Sequence, residues 1–426
     1  MDCYLGSMVK KSEEKALMLY NSMSRAKEAF RPRAKGRVKI FTCGPSIYQR
    51  PHIGNYRTFL YEDLLARYLE HLGYRVERSI ILTDIEDKAI DEALKKGAGL
   101  RKVTGAAAHH FLREAKALHI ALPDPIPRAT TTIDAAVDII RRLLKKGIAY
   151  RHGGNIYFDP LKYPGFGRLY GLDMKKWPRK KTRFSRDTYN GRRWNRGDFI
   201  LWHGYREGDI VSWNTPIGRG RPSWNIQDPA VVLKHLGGQV DINCGGIDNI
   251  VRHHDYNIAV MEAATGKEYA RYYLHGEHLV VRGKTMSKSR GNILYPGDVI
   301  GGAIQPRHLR FFLIYRHYRK KLNYTEESFT AAAARLDDFR AMVKRLLAPV
   351  KGDAAKRTRV DPGRELLVLF ETALNDDLGA GKAFDDIYAS VKRLLGEREK
   401  NGLARADIAS IGKALREIDE VLRVIF

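Results

Sequence analysis

The stretch TCGPSIYQRPHIGNYRTF, residues 42–59, decides the fold. Just before it, VKIFT (38–42) alternates in the manner of a β-strand and then meets Cys43-Gly44-Pro45, a break. Beyond Asn55, the residues Leu60, Leu64, Leu65, Tyr68, Leu69 and Leu72 recur at helical spacing, and Gly73 is placed to end the helix as its C-cap. RVERSIILTDIED (75–87) returns to strand. Strand, tight loop, helix, strand is a βαβ unit, which predicts a doubly wound parallel sheet of the α/β class, with ligands beyond the strand C-termini. A histidine at the mouth of such a loop can donate to a phosphate held over the helix N-terminus, where free amides and the dipole favour an anion. His52 and Asn55 fit that role, and Gly54 between them leaves room for a flat ligand against the backbone.

The chain of 426 residues exceeds what one compact core organises, so two or three domains are expected. Lys plus Arg outnumber Asp plus Glu by 75 to 49, a formal charge of +26 that recruits polyanions, nucleic acid first. Three cysteines, Cys3, Cys43 and Cys244, are too few to staple the chain and point to a reducing, cytoplasmic setting. No run of about 18 apolar residues is present, which argues against a membrane span, and the first residues have no signal-peptide core.

Residues 109–150 read as helical, interrupted at LPDPIPRAT (122–130), where three prolines forbid continuation. Residues 151–222 then turn rich in Gly, Trp, Tyr and Arg, and the segment 175–196 carries ten basic residues against one acid, Asp187. We read an insertion here, about 109–222, in a parallel-sheet domain spanning 36–306, after an N-terminal extension of 1–35. GGQVDINCGGIDN (237–249) is strand plus glycine turn, and HHDYNIAVMEAATG (253–266) is the helix behind it. From about 307 the pattern is helical, giving a connector (307–350) and an all-α bundle (351–426), with 351–364 the natural linker.

Far from the histidine turn, RGKTMSKSRGN (282–292) sets Lys284, Lys288, Ser287 and Ser289 in a glycine-bounded loop that suits a mobile clamp on a leaving pyrophosphate. With HIGN at 52–55 and TMSKS at 285–289, the chain resembles class I aminoacyl-tRNA synthetases. Further segments in order, namely LTDIEDKAI, PRAT, GDFILWH, RPSWNIQD, GGIDNIVRHHDYNIA and ALNDDL, narrow the resemblance to the cysteinyl-tRNA synthetase family over roughly 36–390. That resemblance implies a Rossmann-type catalytic domain with an insertion, a stem-contact-like connector and a helical bundle. It implies ATP with Mg2+, a nucleotide site drawing on Gly44, His52, Gly54 and Asn55, then Gly245, Gly246 and Asp248, and the clamp residues Lys284, Ser287, Lys288 and Ser289. Within it His52, Asn55 and Lys288 are expected to carry catalysis, and Cys43, Thr83 and Trp224 to line the amino-acid pocket.

The chain also departs from the family pattern. The family selects cysteine with a zinc ion held by two cysteines, a histidine and a glutamate, because soft sulfur outcompetes a hydroxyl at zinc. Mapped residue by residue, those positions fall on Cys43, Asp228, His253 and Asn257. Asn257 is a poor zinc ligand, which leaves Cys43, Asp228 and His253 as the expected metal set. The family's HGGG-like turn reads NCGG (243–246), without its histidine. The chain ends at Phe426, where the family continues into a small anticodon-reading domain.

The shared reaction needs no enzyme nucleophile: a substrate carboxylate attacks the α-phosphate of ATP, so catalysis is positioning plus charge stabilisation. tRNA is the expected partner, with Trp177, Phe184, Tyr189 and Trp194 interleaved among the cations of 175–196 for stacking on a single-stranded end. Asp84 and Asp87 read equally well as caps or structural partners. Two alternatives stand beside this: an AMP-forming ligase joining an amino acid to a small amine, as the mycothiol-pathway ligase does, and a non-catalytic RNA-binding paralogue. The basic charge favours tRNA over a small amine.

Overall fold

Two strands that are distant in sequence lie side by side at the centre of the molecule, and the rest is wound around them. The structure, a computed structural model, describes residues 16–189, 193–349, 358 and 360–426. Strands β1 (Met18–Asn21) and β2 (Ala26–Ala29) form an antiparallel hairpin. β3 (Arg37–Thr42) feeds helix α1 (Ile53–His71), and β4 (Arg75–Ile80) returns parallel to β3. Gly73 follows α1 with φ of +84°, the left-handed conformation that ends a helix. Next come α2 (Asp87–Lys95), α3 (Leu100–Ala117) and, after the three prolines, α4 (Ile133–Lys145).

A second sheet then forms from β5 (Ala149–His152), β6 (Asn155–Phe158), β7 (Arg183–Phe184), β8 (Asp198–Gly204) and β9 (Gly220–Pro222), in the order β5-β6-β8-β7 with β9 on β8. The chain re-enters the first sheet through α5 (Trp224–Leu236), β10 (Val240–Gly246), α6 (His253–Thr265) and β11 (Ala270–Gly276). The order β11-β10-β3-β4 is parallel throughout. From β3 the chain winds through α1 to β4, and from β10 through α6 to β11 in the opposite sense, the doubly wound arrangement expected of the sequence. Both faces are covered: Val38 and Ile40 of β3 belong to the core shared with α1, and Phe41 to the core shared with α4, α5 and α6.

A small sheet comes next, in which β12 (Leu279–Val281) turns through Arg282-Gly283, both at positive φ, into β13 (Lys284–Thr285). After α7 (Pro296–Val299) and α8 (Pro306–Tyr315), β14 (Leu322–Tyr324) pairs in parallel with β12. Helices α9 (Glu326–Leu346), α10 (Pro362–Leu374), α11 (Ala380–Asn401) and α12 (Arg405–Leu422) form the all-α end. Of the stretch read as a linker, 351–357 and 359 lie outside the described residues, as do 1–15 with Cys3. Among the described residues no helix is long and apolar enough to cross a membrane.

Two arginines fasten the sheet domain to the C-terminal part of the chain. Arg57 of α1 donates to the carbonyls of Glu277, His278, His317 and Lys320. Arg310 of α8 is fully buried; it pairs with the equally buried Asp63 of α1 at 2.8 Å and donates to the carbonyls of Leu118 and Leu422. Asp63 also accepts from Arg67 and from the amide of Ala121, so Arg310, Arg67 and Arg78 together hold its carboxyl below the ordinary range despite burial. Removing one partner of a buried, hydrogen-bonded pair leaves an uncompensated charge. Arg310→Met should therefore lower unfolding free energy by about 3–5 kcal/mol, measured by urea denaturation.

Candidate functional site

The C-terminal ends of β3 and β10 open onto a cleft of about 380 Å³, bordered by the 43–59 loop and α1 on one side and by Trp224, Asp228, Gly246, Asp248 and His253 on the other. The β3 loop is pressed against β4: a Cβ built on Gly44 would lie 1.6 Å from the carbonyl oxygen of Ile81, so only glycine fits. Arg50 anchors the loop from outside, bound to Glu114 of α3, which also accepts from the Tyr56 hydroxyl at 2.8 Å.

His52 and Asn55 hold each other at the N-terminus of α1. The His52 Nδ1 accepts from the Asn55 amide at 3.3 Å, and the Asn55 Oδ1 accepts from the His52 amide at 3.0 Å, a reciprocal cap. With Nδ1 accepting, the ring proton belongs on Nε2, as assigned from its partners. Burial lowers the His52 pKa below its ordinary value, with the charge of Asp248 opposing more weakly. His52 is thus a neutral donor at neutral pH, which suits contact with a phosphate oxygen without trapping it as an ion pair.

The second loop arrives from the small sheet. A Cβ on Gly54 would meet Met286 Cε at 2.8 Å and His52 Cε1 at 3.0 Å, and the Ile53 amide donates to the carbonyl of Leu294 at 2.9 Å. The two distant motifs therefore meet at one place. The loop is closed on itself: Asn292 accepts from the Ser287 amide and donates to the Thr285 carbonyl, and Ser287 and Ser289 hydroxyls are 3.2 Å apart. Lys284, Lys288 and Ser289 are exposed and, like Ser287, stand outside the cleft lining. Gly246 and Asp248 line the cleft, whereas Gly245 is buried behind it, bonded to the Tyr61 hydroxyl. Thr83 lines it as well.

Cys43, Asp228 and His253, the set mapped from the family pattern, lie together in the same cleft. Cys43 Sγ lies 3.3 Å from Asp228 Oδ2, and His253 Nε2 lies 2.8 Å from the same oxygen. Asn257 Nδ2 donates to it at 3.1 Å, so the two departures from the family pattern bond to each other. Trp224 stacks flat on His253 at 4.1 Å between ring centroids. Burial, then the Asp228 carboxylate, push the Cys43 thiol well above its ordinary range. His254, which the sequence reading missed, lies with its Nε2 3.1 Å from Cys43 Sγ. Its only sequence signal is adjacency to His253.

The aromatic reading of 175–196 is corrected. Trp177 is buried, and Trp194 packs edge-on against Phe166, Tyr170 and Trp177, so both are core rather than stacking platforms. Tyr189 lines the cleft, against Trp224 and beneath Lys88 Nζ at 3.8 Å. The nine described cations of the segment are exposed; residues 190–192, with Arg192, lie outside the described residues. Asp84 accepts from the Thr130 amide and hydroxyl, and Asp87 bonds Arg221 and the Asp187 amide, both structural roles.

The model of the class I (C) tRNA synthetase catalytic domain matches residues 29–334. The chain belongs to the cysteinyl-tRNA synthetase family. It is 36% identical to the cysteine–tRNA ligase of Chlamydia pneumoniae, over 97% of this chain and 87% of that protein, and 34% identical to that of Leptospira interrogans, over 96% and 87%. Among solved structures, Mycobacterium tuberculosis methionyl-tRNA synthetase bound to methionyl-adenylate superimposes with a TM-score of 0.63 at 16% identity, covering 91% of this chain and 90% of that one. A putative arginyl-tRNA synthetase of Campylobacter jejuni gives 0.60 at 13% identity, covering 93% and 94%. These two likenesses bear on fold alone. As a cysteinyl-tRNA synthetase family member the chain is an ATP-using ligase of aminoacyl-tRNA synthesis.

Gly54→Val should push the Met286 loop off the His52 turn and lower ATP-dependent activation by on the order of 10²-fold, the usual cost of a misplaced reacting group; amino-acid-dependent pyrophosphate exchange measures it. Because burial depresses the His52 pKa, the neutral imidazole persists below pH 6.5. Exchange activity should hold through the ordinary histidine range as pH falls and decline only below it.

Proposed function

We propose that the chain activates cysteine with ATP and transfers it to tRNA. The observation that carries this reading is the meeting of Gly54 and Met286 beside His52, which lines the same cleft as Cys43, Asp228 and His253. In the first step the amino-acid carboxylate attacks the α-phosphate of ATP in line, forming an aminoacyl-adenylate and expelling pyrophosphate. In the second a ribose hydroxyl at the tRNA end attacks the acyl carbon and AMP departs.

The residues of this chain divide the work. His52 donates through Nε2 to the α-phosphate as charge gathers there, Asn55 fixes the imidazole, and the α1 N-terminus adds its free amides. Gly54 keeps the turn close to the nucleotide. Lys284 and Lys288, with Ser287 and Ser289, close over the β- and γ-phosphates once ATP and its Mg2+ are bound, which needs the loop to move inward. Gly44, Gly245, Gly246 and Asp248 shape the nucleotide floor, and Thr83 and Trp224 the amino-acid pocket.

Cys43, Asp228 and His253 supply sulfur, oxygen and nitrogen donors, and His253 Nδ1 is buried without a partner, an atom that a metal would satisfy. The set fits zinc, which when bound favours a thiolate over a hydroxyl and so selects cysteine over serine. The exposed cations of 175–196 would track the phosphates of tRNA. Those charges, beyond any need of a small amine, support tRNA as acceptor.

Lys288→Ala should cut pyrophosphate exchange by on the order of 10²-fold, the scale of one lost charge contact to the transition state. Binding of tRNA should weaken steeply between 50 and 200 mM salt, by about 10³-fold or more if six or more phosphates are met, as gel-shift titration would record. Exchange measured over all twenty amino acids, with and without chelator, tests the substrate and the metal together.

A further inference from the structure

The two buried histidines at 253 and 254 each commit one ring nitrogen to a side-chain partner. His253 commits Nε2 to Asp228 Oδ2 at 2.8 Å and leaves Nδ1 buried with no partner. His254 commits Nδ1 to His275 Nε2 at 2.8 Å, and His275 Nδ1 in turn meets Ser22 Oγ at 2.7 Å. The remaining nitrogen of His254, Nε2, lies 3.1 Å from Cys43 Sγ. Cys43, His253 and His254 each offer one ligating atom within 4.8 Å of the others.

An imidazole with one nitrogen held by a partner and the other left to ligate is how proteins orient metal-binding histidines. Asp228 shows the opposite pattern. Its Oδ2 is ringed by the Cys43 thiol, the His253 nitrogen and the Asn257 amide. That oxygen is committed to hydrogen bonds and fixes the His253 ring through Nε2.

We propose that the zinc-binding set of this chain is Cys43, His253 through Nδ1 and His254 through Nε2, with Asp228 and His275 as the partners that orient the two histidines. His254 then stands in for the family ligands that are replaced by Asp228 and Asn257. Three protein ligands leave one position of a tetrahedral ion for sulfur from the cleft, which Cys43 and His253 both line. The inference rests on the proposed zinc site and changes its ligands.

The test is cobalt(II) binding to the full chain, read by its visible and charge-transfer absorption and by competition with a chelator. Wild type should take up one cobalt with a sulfur-to-metal band, which Cys43→Ser removes. His254→Gln should weaken binding by about 100-fold or more, whereas Asp228→Asn, acting through His253, should weaken it by about 10–100-fold and keep the band. Asn257→Ala should still bind. Should His254→Gln fail to fold, His275→Gln is expected to weaken cobalt binding by about 10–100-fold. Full affinity in His254→Gln or in His275→Gln, or loss of the band in Asp228→Asn, overturns the ligand assignment. A wild-type chain without metal that still binds ATP and exchanges pyrophosphate overturns the metal site while leaving amino-acid activation standing.

Discussion

The pairing of β10 with β3 is the constraint on which the rest of the molecule depends. Ile242 and Cys244 lie in register with Ile40 and Thr42, and the Cys43 amide donates to the Cys244 carbonyl at the point where both strands end. Because the crossovers leave these two strands in opposite directions, nothing fills the space above their ends, and a crevice is left there. Loops some two hundred residues apart in sequence thereby become its two walls. The histidine turn stands on one and His253 on the other.

Electrostatically the cleft is mixed: the carboxyl groups of Asp228 and Asp248 line it with Arg50 and Lys88, beside an imidazole that burial keeps uncharged. Burial holds His52 and His254 below their ordinary pKa, and His275 down to about 3. These rings therefore act as hydrogen-bonding groups of fixed polarity at physiological pH. Positive charge is supplied from the edge, by Lys88 over Tyr189 and by the exposed lysines of the 284–289 loop.

Much of this was legible in residues 36–90, because strand alternation, leucine spacing and a helix-ending glycine are local signals that packing later reinforces. The histidine turn and the Met286 loop were legible as motifs, yet their contact was not, since it depends on how the small sheet of β12 and β14 docks. His254 could not be singled out because its meaning comes from His275 and Ser22, on β11 and after β1. The N-terminal hairpin read as an extension, but Asn21 and Ser22 bond to β11 and stitch it to the sheet edge. Trp177 and Trp194 misled because cations on either side say nothing of which way an indole packs; here they interlock with Phe166 beneath the charged surface.

The buried Asp63–Arg310 pair bears on how the protein can be divided. Sequence composition invites a cut between the sheet domain and the helices beyond residue 306, as if the latter were a detachable module. Such a cut would strip Asp63 of its dry counter-ion and Arg57 of the carbonyls it serves, so the isolated sheet domain would carry misplaced charge at its severed face. The helices beyond residue 306 and helix α1 are one mechanical piece, so a load placed on the former would be felt at the His52 turn with little play between them.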